Sequence, residues 1–99
     1  MPTTNLTTKP TEPPGGVFHI ELSGGGTALD IPAIGLGTFS PQPGPVATVK
    51  QAVLDALKVG YRHIDTAFGY GTGVSEQGVG EAVREWGGRR DQVFIVSKL

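Results

Sequence analysis

The feature that most restricts the fold of this chain is a repeated change of hydrophobic period between residues 33 and 96. Ala33-Ile34-Gly35-Leu36-Gly37 is a short apolar run that reads as a buried strand. The segment after it, Phe39-Ser40-Pro41-Gln42-Pro43-Gly44-Pro45, holds prolines that forbid regular pairing. Val46, Val49, Val53 and Leu57 then recur at helical spacing, with Ala52 and Ala56 beside them and Lys50, Asp55 and Lys58 turned away, until Gly60 supplies a left-handed stop. A strand pattern follows over Tyr61 to Asp65, then a glycine-rich loop from Gly69 to Gly73. A second amphipathic pattern from Ser75 to Trp86 carries Val79 and Val83 and ends at Gly87-Gly88. Val93-Phe94-Ile95-Val96 is a continuous apolar run, the form taken by a parallel strand covered on both faces. Strand, helix, strand, helix, strand predicts an α/β fold of right-handed βαβ units on a parallel sheet, with its chemistry at the carboxyl ends of the strands. Thr38, Asp65, Tyr70 and Lys98 all fall at those ends.

Ahead of this unit, Val17 to Ser23 alternates, with Phe18, Ile20 and Leu22 on one face and His19 and Glu21 on the other. Gly24-Gly25-Gly26 permits positive φ before Leu29 and Ile31 resume the pattern, which predicts a β-hairpin. No helix pattern follows the triple glycine, so it reads as a turn and not as a phosphate loop. Residues 1–16 hold Thr, Pro, Asn and Gly, with only Leu6 as a large apolar side chain besides Met1, and read as a disordered tail. Residues 17–99 then form one small folded unit with a modest core.

The tail has neither the apolar stretch of a secretory signal nor the arginine-rich composition of a transit peptide. Formal net charge is -1 and the basic residues are dispersed apart from Arg89-Arg90, which argues against a nucleic-acid or anionic-membrane partner and for a small, nearly neutral one. The chain has no cysteine, and His19 and His63 are isolated, so no disulfide framework or usual zinc site is expected. Its apolar stretches are too short to cross a bilayer. The expectation is a cytoplasmic protein without a metal.

Asp65, Tyr70 and Lys98 at neighbouring strand exits suggest proton transfer to a carbonyl oxygen. A free tyrosine, with a pKa of about 10, is a poor proton donor near neutral pH and needs a cationic neighbour. An ammonium about 4 Å away at an effective dielectric of about 20 favours the phenolate by about 4 kcal/mol. Lys98 is placed to supply that charge, and Asp65 to hold the lysine in place and protonated. Taken singly, the three have ordinary readings as a loop cap, a surface aromatic and a solvated strand end; their joint placement favours the chemical one. His63 shares the face of Asp65 but lies deeper, and reads as a satisfied core histidine, while Trp86 reads as packing.

Ile34-Gly35-Leu36-Gly37-Thr38-Phe39, Gly60-Tyr61-Arg62-His63-Ile64-Asp65-Thr66-Ala67, Tyr70, Val79-Gly80-Glu81-Ala82 and Val93-Phe94-Ile95-Val96-Ser97-Lys98-Leu99 together resemble the aldo-keto reductase family, from about Val17 to the last residue. The resemblance implies a (β/α)8 TIM barrel with a hairpin closing its bottom, and NADP(H)-dependent reduction of an aldehyde or ketone to an alcohol. It implies that Tyr70 is the general acid, Lys98 the lysine that lowers its pKa, and Asp65 the carboxylate that pairs with that lysine near the nicotinamide ribose. Gly37, Thr38 and Phe39 match the loop that touches the nicotinamide end. Phe39 stands where many members have tryptophan, and the loop from Gly71 to Gln77 is longer and richer in glycine than the common form, so the resemblance gives Ser75 and Glu76 no roles.

A barrel of this type needs about 250 residues. The chain therefore matches an incomplete barrel: the hairpin, the first three strands and two helices, with the family's catalytic histidine and phosphate-holding loops expected beyond Leu99. Taken alone, such a chain is expected to be inactive. The alternative is a non-catalytic truncated product or interaction module that pairs through unpaired strand edges. Ser97-Lys98-Leu99 also spells a peroxisomal address, but the same residues continue the third strand in the family, and coincidence is the reading adopted.

Overall fold

The protein was analysed as a computed structural model, which describes residues 13–21, 24, 28–42 and 44–99. The predicted tail lies outside the described residues as far as residue 12. Its end does not behave as a tail: the Gly16 N–H donates to the Pro13 carbonyl at 2.9 Å, and the Gly16 carbonyl accepts from the Ala33 N–H at 2.9 Å. That turn ties the start of the hairpin to its exit.

The predicted hairpin is present. Strand β1 (Val17–Ile20) pairs antiparallel with β2 (Leu29–Pro32), placing Phe18 opposite Ile31 and His19 opposite Asp30. Of the turn between them only Gly24 and the flanking Glu21 and Ala28 are described, so Leu22, Ser23, Gly25 and Gly26 lie outside the described residues.

The rest is a parallel sheet with two helices. Strand β3 (Leu36–Gly37), helix α1 (Val46–Lys58), strand β4 (His63–Asp65), helix α2 (Val74–Trp86) and strand β5 (Phe94–Val96) follow in chain order, and the sheet order is β3-β4-β5. All pairings in this sheet are parallel, with Leu36 beside Ile64 and Ile64 beside Ile95. A short 3-10 turn, Arg90–Gln92, leads into β5 and has no counterpart in the sequence reading.

Each strand is shorter than its sequence pattern, and the expectation of full burial is not met. Ile34 is 45% exposed and Phe94, Ile95 and Val96 are each half-buried. The register gives the reason. Leu36, Ile64 and Ile95 form one row that packs on the helices, whereas His63 and Asp65 belong to the opposite face by the period of two. The core is therefore a single layer between sheet and helices, built from Val53, Leu54 and Leu57 of α1, Val79 and Ala82 of α2, Ile64 and Val93.

Two local devices fix the helices. A Cβ added at Gly78 would lie 2.7 Å from the Cβ of Val49, so the bare backbone of α2 lets α1 come close. At the end of α1, Arg62 Nη1 donates to the Leu57 carbonyl at 2.8 Å while its guanidinium lies 4.6 Å from the centroid of Trp86. The Leu57 carbonyl, which also accepts from the Gly60 N–H at 3.2 Å, thereby gains a charged donor, and Trp86 joins the core margin as packing.

Candidate active site

The pairing that builds the sheet continues past the strand ends and brings the predicted site residues together. The Thr38 N–H donates to the Asp65 carbonyl at 3.1 Å, the Thr66 N–H to the Val96 carbonyl at 2.8 Å, and the Phe68 N–H to the Lys98 carbonyl at 2.9 Å. Thr38, Asp65 and Lys98 thus leave three adjacent strands side by side.

Lys98 Nζ donates to Asp65 Oδ1 at 2.9 Å and to the Thr66 carbonyl at 3.0 Å, and lies 5.1 Å from the centroid of the Tyr70 ring. The hydrogen bond to Asp65 is the main reason that Lys98 is held above its ordinary value of 10.5; partial desolvation opposes it, and the Tyr70 hydroxyl adds to it. The ammonium is therefore charged throughout the neutral range. Asp65 keeps its second oxygen, Oδ2, without a partner among the described residues.

Tyr70 is half-buried, and Phe39 packs edge-on against it, with ring centroids 5.3 Å apart at 68°. Phe39 is 65% exposed and forms a wall over one side of the tyrosine. Gly37 contributes backbone, pairing with Asp65, and lines with Thr38 and Phe39 a hollow of about 160 Å³ toward α1. Thr38 donates through Oγ1 to the Asp65 carbonyl at 3.0 Å. A second hollow, of about 320 Å³, opens beside Lys98 and is lined by Phe68, Glu76, Ser97 and Leu99.

The loop between Tyr70 and α2 owes its shape to three consecutive left-handed residues, Gly71 (φ 68°), Thr72 (φ 51°) and Gly73 (φ 94°). Glycine adopts this backbone without steric cost, and Thr72 is the one non-glycine residue that does so among the described residues. The turn is closed by the Gly73 N–H donating to the Phe68 carbonyl at 2.7 Å, and it delivers the start of α2 directly onto the site.

Two residues that the sequence reading left without roles stand in that first turn. Ser75, 4% exposed, donates through Oγ to the Thr38 carbonyl at 3.0 Å, and Glu76 accepts a hydrogen bond from the Ser97 hydroxyl. Their signal in sequence was only their place, just after a glycine-rich turn and at the start of the helix following the Asp65 strand. His63, by contrast, is satisfied as expected: its Nδ1 donates to the Pro32 carbonyl at 2.9 Å and its ring meets Phe94 edge-on. Among the described residues no group of His, Asp or Glu is arranged to hold a metal, and no helix is long and apolar enough to cross a membrane.

A parallel α/β sheet with a carboxylate, a lysine and a tyrosine gathered beyond its strand ends defines the class of α/β folds whose functional groups stand at the carboxyl ends of the strands. Comparison with known proteins narrows this. The model of the "Aldo/keto reductase family" matches residues 33–99, and the chain belongs to that family. "Aldo-keto reductase family 1 member A1" of Xenopus tropicalis is 51% identical over 78 residues, which cover 74% of this chain and 22% of that protein. Among solved structures, an aldo/keto reductase from Brucella melitensis superposes with a TM-score of 0.64 at 38% identity, over 84% of this chain and 29% of its own. The aldo-keto reductase of Bombyx mori, solved in complex with NADP, gives 0.60 at 33% identity, over 90% of this chain and 28% of its own. The chain thus spans between a fifth and a third of the length of these proteins.

Proposed function

We propose that this chain is the amino-terminal portion of a (β/α)8 reductase that uses NADP(H) to convert an aldehyde or ketone to an alcohol. The observation that carries the reading is the contact set at the strand exits: Lys98 on Asp65 at 2.9 Å and over the Tyr70 ring at 5.1 Å. The donor set fits the sugar end of a nicotinamide nucleotide, because Asp65 Oδ2 is free to accept from a hydroxyl while Oδ1 keeps Lys98. Gly37 and Thr38 leave the neighbouring strand beside Asp65, and Phe39 packs on Tyr70, so Asp65 and these three residues are the cofactor contacts assigned to this chain. When bound, the nucleotide supplies the hydride.

The rest of the chemistry belongs to the chain. The Tyr70 hydroxyl gives its proton to the substrate's carbonyl oxygen, which becomes the alcohol. The Lys98 ammonium provides the positive charge next to the oxygen that has lost its proton, and Asp65 keeps that ammonium charged and aimed. Phe39 limits the freedom of the Tyr70 ring and keeps water from one side of it. The substrate is a small carbonyl compound.

The test is a segment exchange. Residues 17–99 replace the matching segment of the Xenopus relative, and NADPH oxidation is followed with a reactive aldehyde. The exchanged protein is expected to turn over, and Tyr70→Phe to lower kcat by about a hundredfold or more. Turnover that survives Tyr70→Phe sinks the assignment. The 99-residue chain by itself is proposed to be inactive, since positioning of reactants is worth about 7–11 kcal/mol. A second reading, self-association of the chain through sheet edges, is supported by β3 and β5 each pairing on one side only among the described residues. A single monomeric boundary in sedimentation velocity would remove it.

A further inference from the structure

The first turn of α2 reaches both strands that flank Asp65. Ser75 holds the exit of β3 by donating to the Thr38 carbonyl, and its neighbour Glu76 holds the exit of β5 by accepting from the Ser97 hydroxyl. Asp65 ends the strand between them. Thr38 answers with two hydrogen bonds to the Asp65 carbonyl, and Lys98, next to Ser97, reaches Asp65 Oδ1. Consecutive residues of one helical turn thus grip opposite sides of the same carboxylate-bearing strand.

We propose that Ser75 and Glu76 are positioning residues, a two-armed clamp that holds Thr38 and Lys98 in register with Asp65. The need for it follows from exposure. The side chains of Lys98 and Asp65 are 47% and 41% exposed, and a pair so open to water gains little from attraction alone. Its geometry has to be imposed by the backbone and by the neighbours that fix it. Glu76 acts here through its hydrogen bond and not through its charge, since what holds the Lys98 ammonium charged is Asp65 and Tyr70. The left-handed turn Gly71-Thr72-Gly73 is the device that sets the clamp at the right height.

This inference rests on the reading of Asp65 and Lys98 as part of a reacting group, but its test reads titration and exchange, so either can fail alone. In the full 99-residue chain, the Lys98 side chain is titrated by NMR at its Cε and Nζ, and Thr38 amide exchange is followed alongside. Ser97→Ala and Glu76→Ala are expected to bring the Lys98 midpoint back toward 10.5. Ser97→Thr and Glu76→Gln, which keep a donor and an acceptor, are expected to leave it raised. Ser75→Ala is expected to speed Thr38 exchange by about two- to tenfold, the worth of one hydrogen bond. The clamp is overturned if the alanine variants titrate like the parent while folded, or if Glu76→Gln shifts Lys98 as far as Glu76→Ala. Should the alanine variants unfold, the conservative pair decides: a lowered midpoint in either rejects the proposal, and a retained one supports it.

Discussion

The hairpin and the α/β unit use the same kinds of apolar side chain and come to opposite ends. In the hairpin, Val17 is 49% exposed, Phe18 64%, Ile20 43% and Leu29 41%, although the strands alternate and pair in register. In the α/β unit, Val53 and Ile64 are fully buried and Leu57 is 1% exposed. The difference is not in propensity but in whether a second surface faces the apolar row. Ile64 has two helices over it; Phe18 pairs with Ile31 and stays 64% exposed, outside the core cluster of the described residues. A strand pattern identifies a face, and only another layer turns that face into a core.

This contrast can be broken most directly by truncating each side. Ile64→Ala is expected to cost about 2–5 kcal/mol, read as a lower urea midpoint, through loss of buried contacts and the cavity left behind. Phe18→Ala, by the same measurement, should stay within about 0.5 kcal/mol of the parent. Equal losses at the two sites would mean that the hairpin carries as much of the fold as the core does. Next in size, Gly78→Val is expected to destabilise by about 1–3 kcal/mol, because the added side chain meets Val49 where the helices cross.

A smaller change of opposite sign sharpens the comparison. Thr66 is 2% exposed and its hydroxyl has no partner among the described residues, so Thr66→Val should raise stability by about 1 kcal/mol. A fall in the melting temperature of that variant would show that the hydroxyl is bonded after all.

The smallest expected effects come from surface ion pairs, and their signs follow from titration. Lys50 of α1 and Glu85 of α2 meet at 2.7 Å, and the hydrogen bond from Lys50 holds the Glu85 carboxyl below its usual 4.5. A carboxyl depressed by folding contributes stability above pH 4.5 and loses it as pH falls through the lower folded value. Lys50→Met should flatten that acid limb by slightly lowering stability at pH 7, while the two proteins converge in acid once Glu85 is protonated. Lys98 gives the mirror case: its pair with Asp65 is intact below pH 10.5 and is lost as pH rises through the higher folded value. Asp65→Asn should move the Lys98 midpoint in the NMR titration back down toward 10.5, because it removes the main cause of the rise.

Much of this is legible in the sequence. Periodicity located both helices within a residue of their observed starts and ends in the case of α2, predicted over Ser75 to Trp86 and found over Val74–Trp86. Asp65, Tyr70 and Lys98 stand out in the sequence by their place after strand patterns, and the structure brings them together. Strand length was less legible. Ala33-Ile34-Gly35-Leu36-Gly37 reads as one apolar run, yet only Leu36 and Gly37 pair, because pairing depends on the partner strand's length and not on local composition. Ser75 and Glu76 could not be assigned, since their partners Thr38 and Ser97 lie 37 and 21 residues away. The 3-10 turn before β5 carries no periodic signal at all.

The sequence by itself determined the order of elements, the parallel arrangement that this order demands, and the identity of the residues at the strand exits, because each is a local pattern or its direct topological consequence. Tertiary structure alone decided which apolar row became the core, how the first turn of α2 reaches both outer strands, and that one oxygen of Asp65 is taken by Lys98 while the other has no partner among the described residues. These depend on distances between residues far apart in the chain, and such distances exist only once the layers have packed.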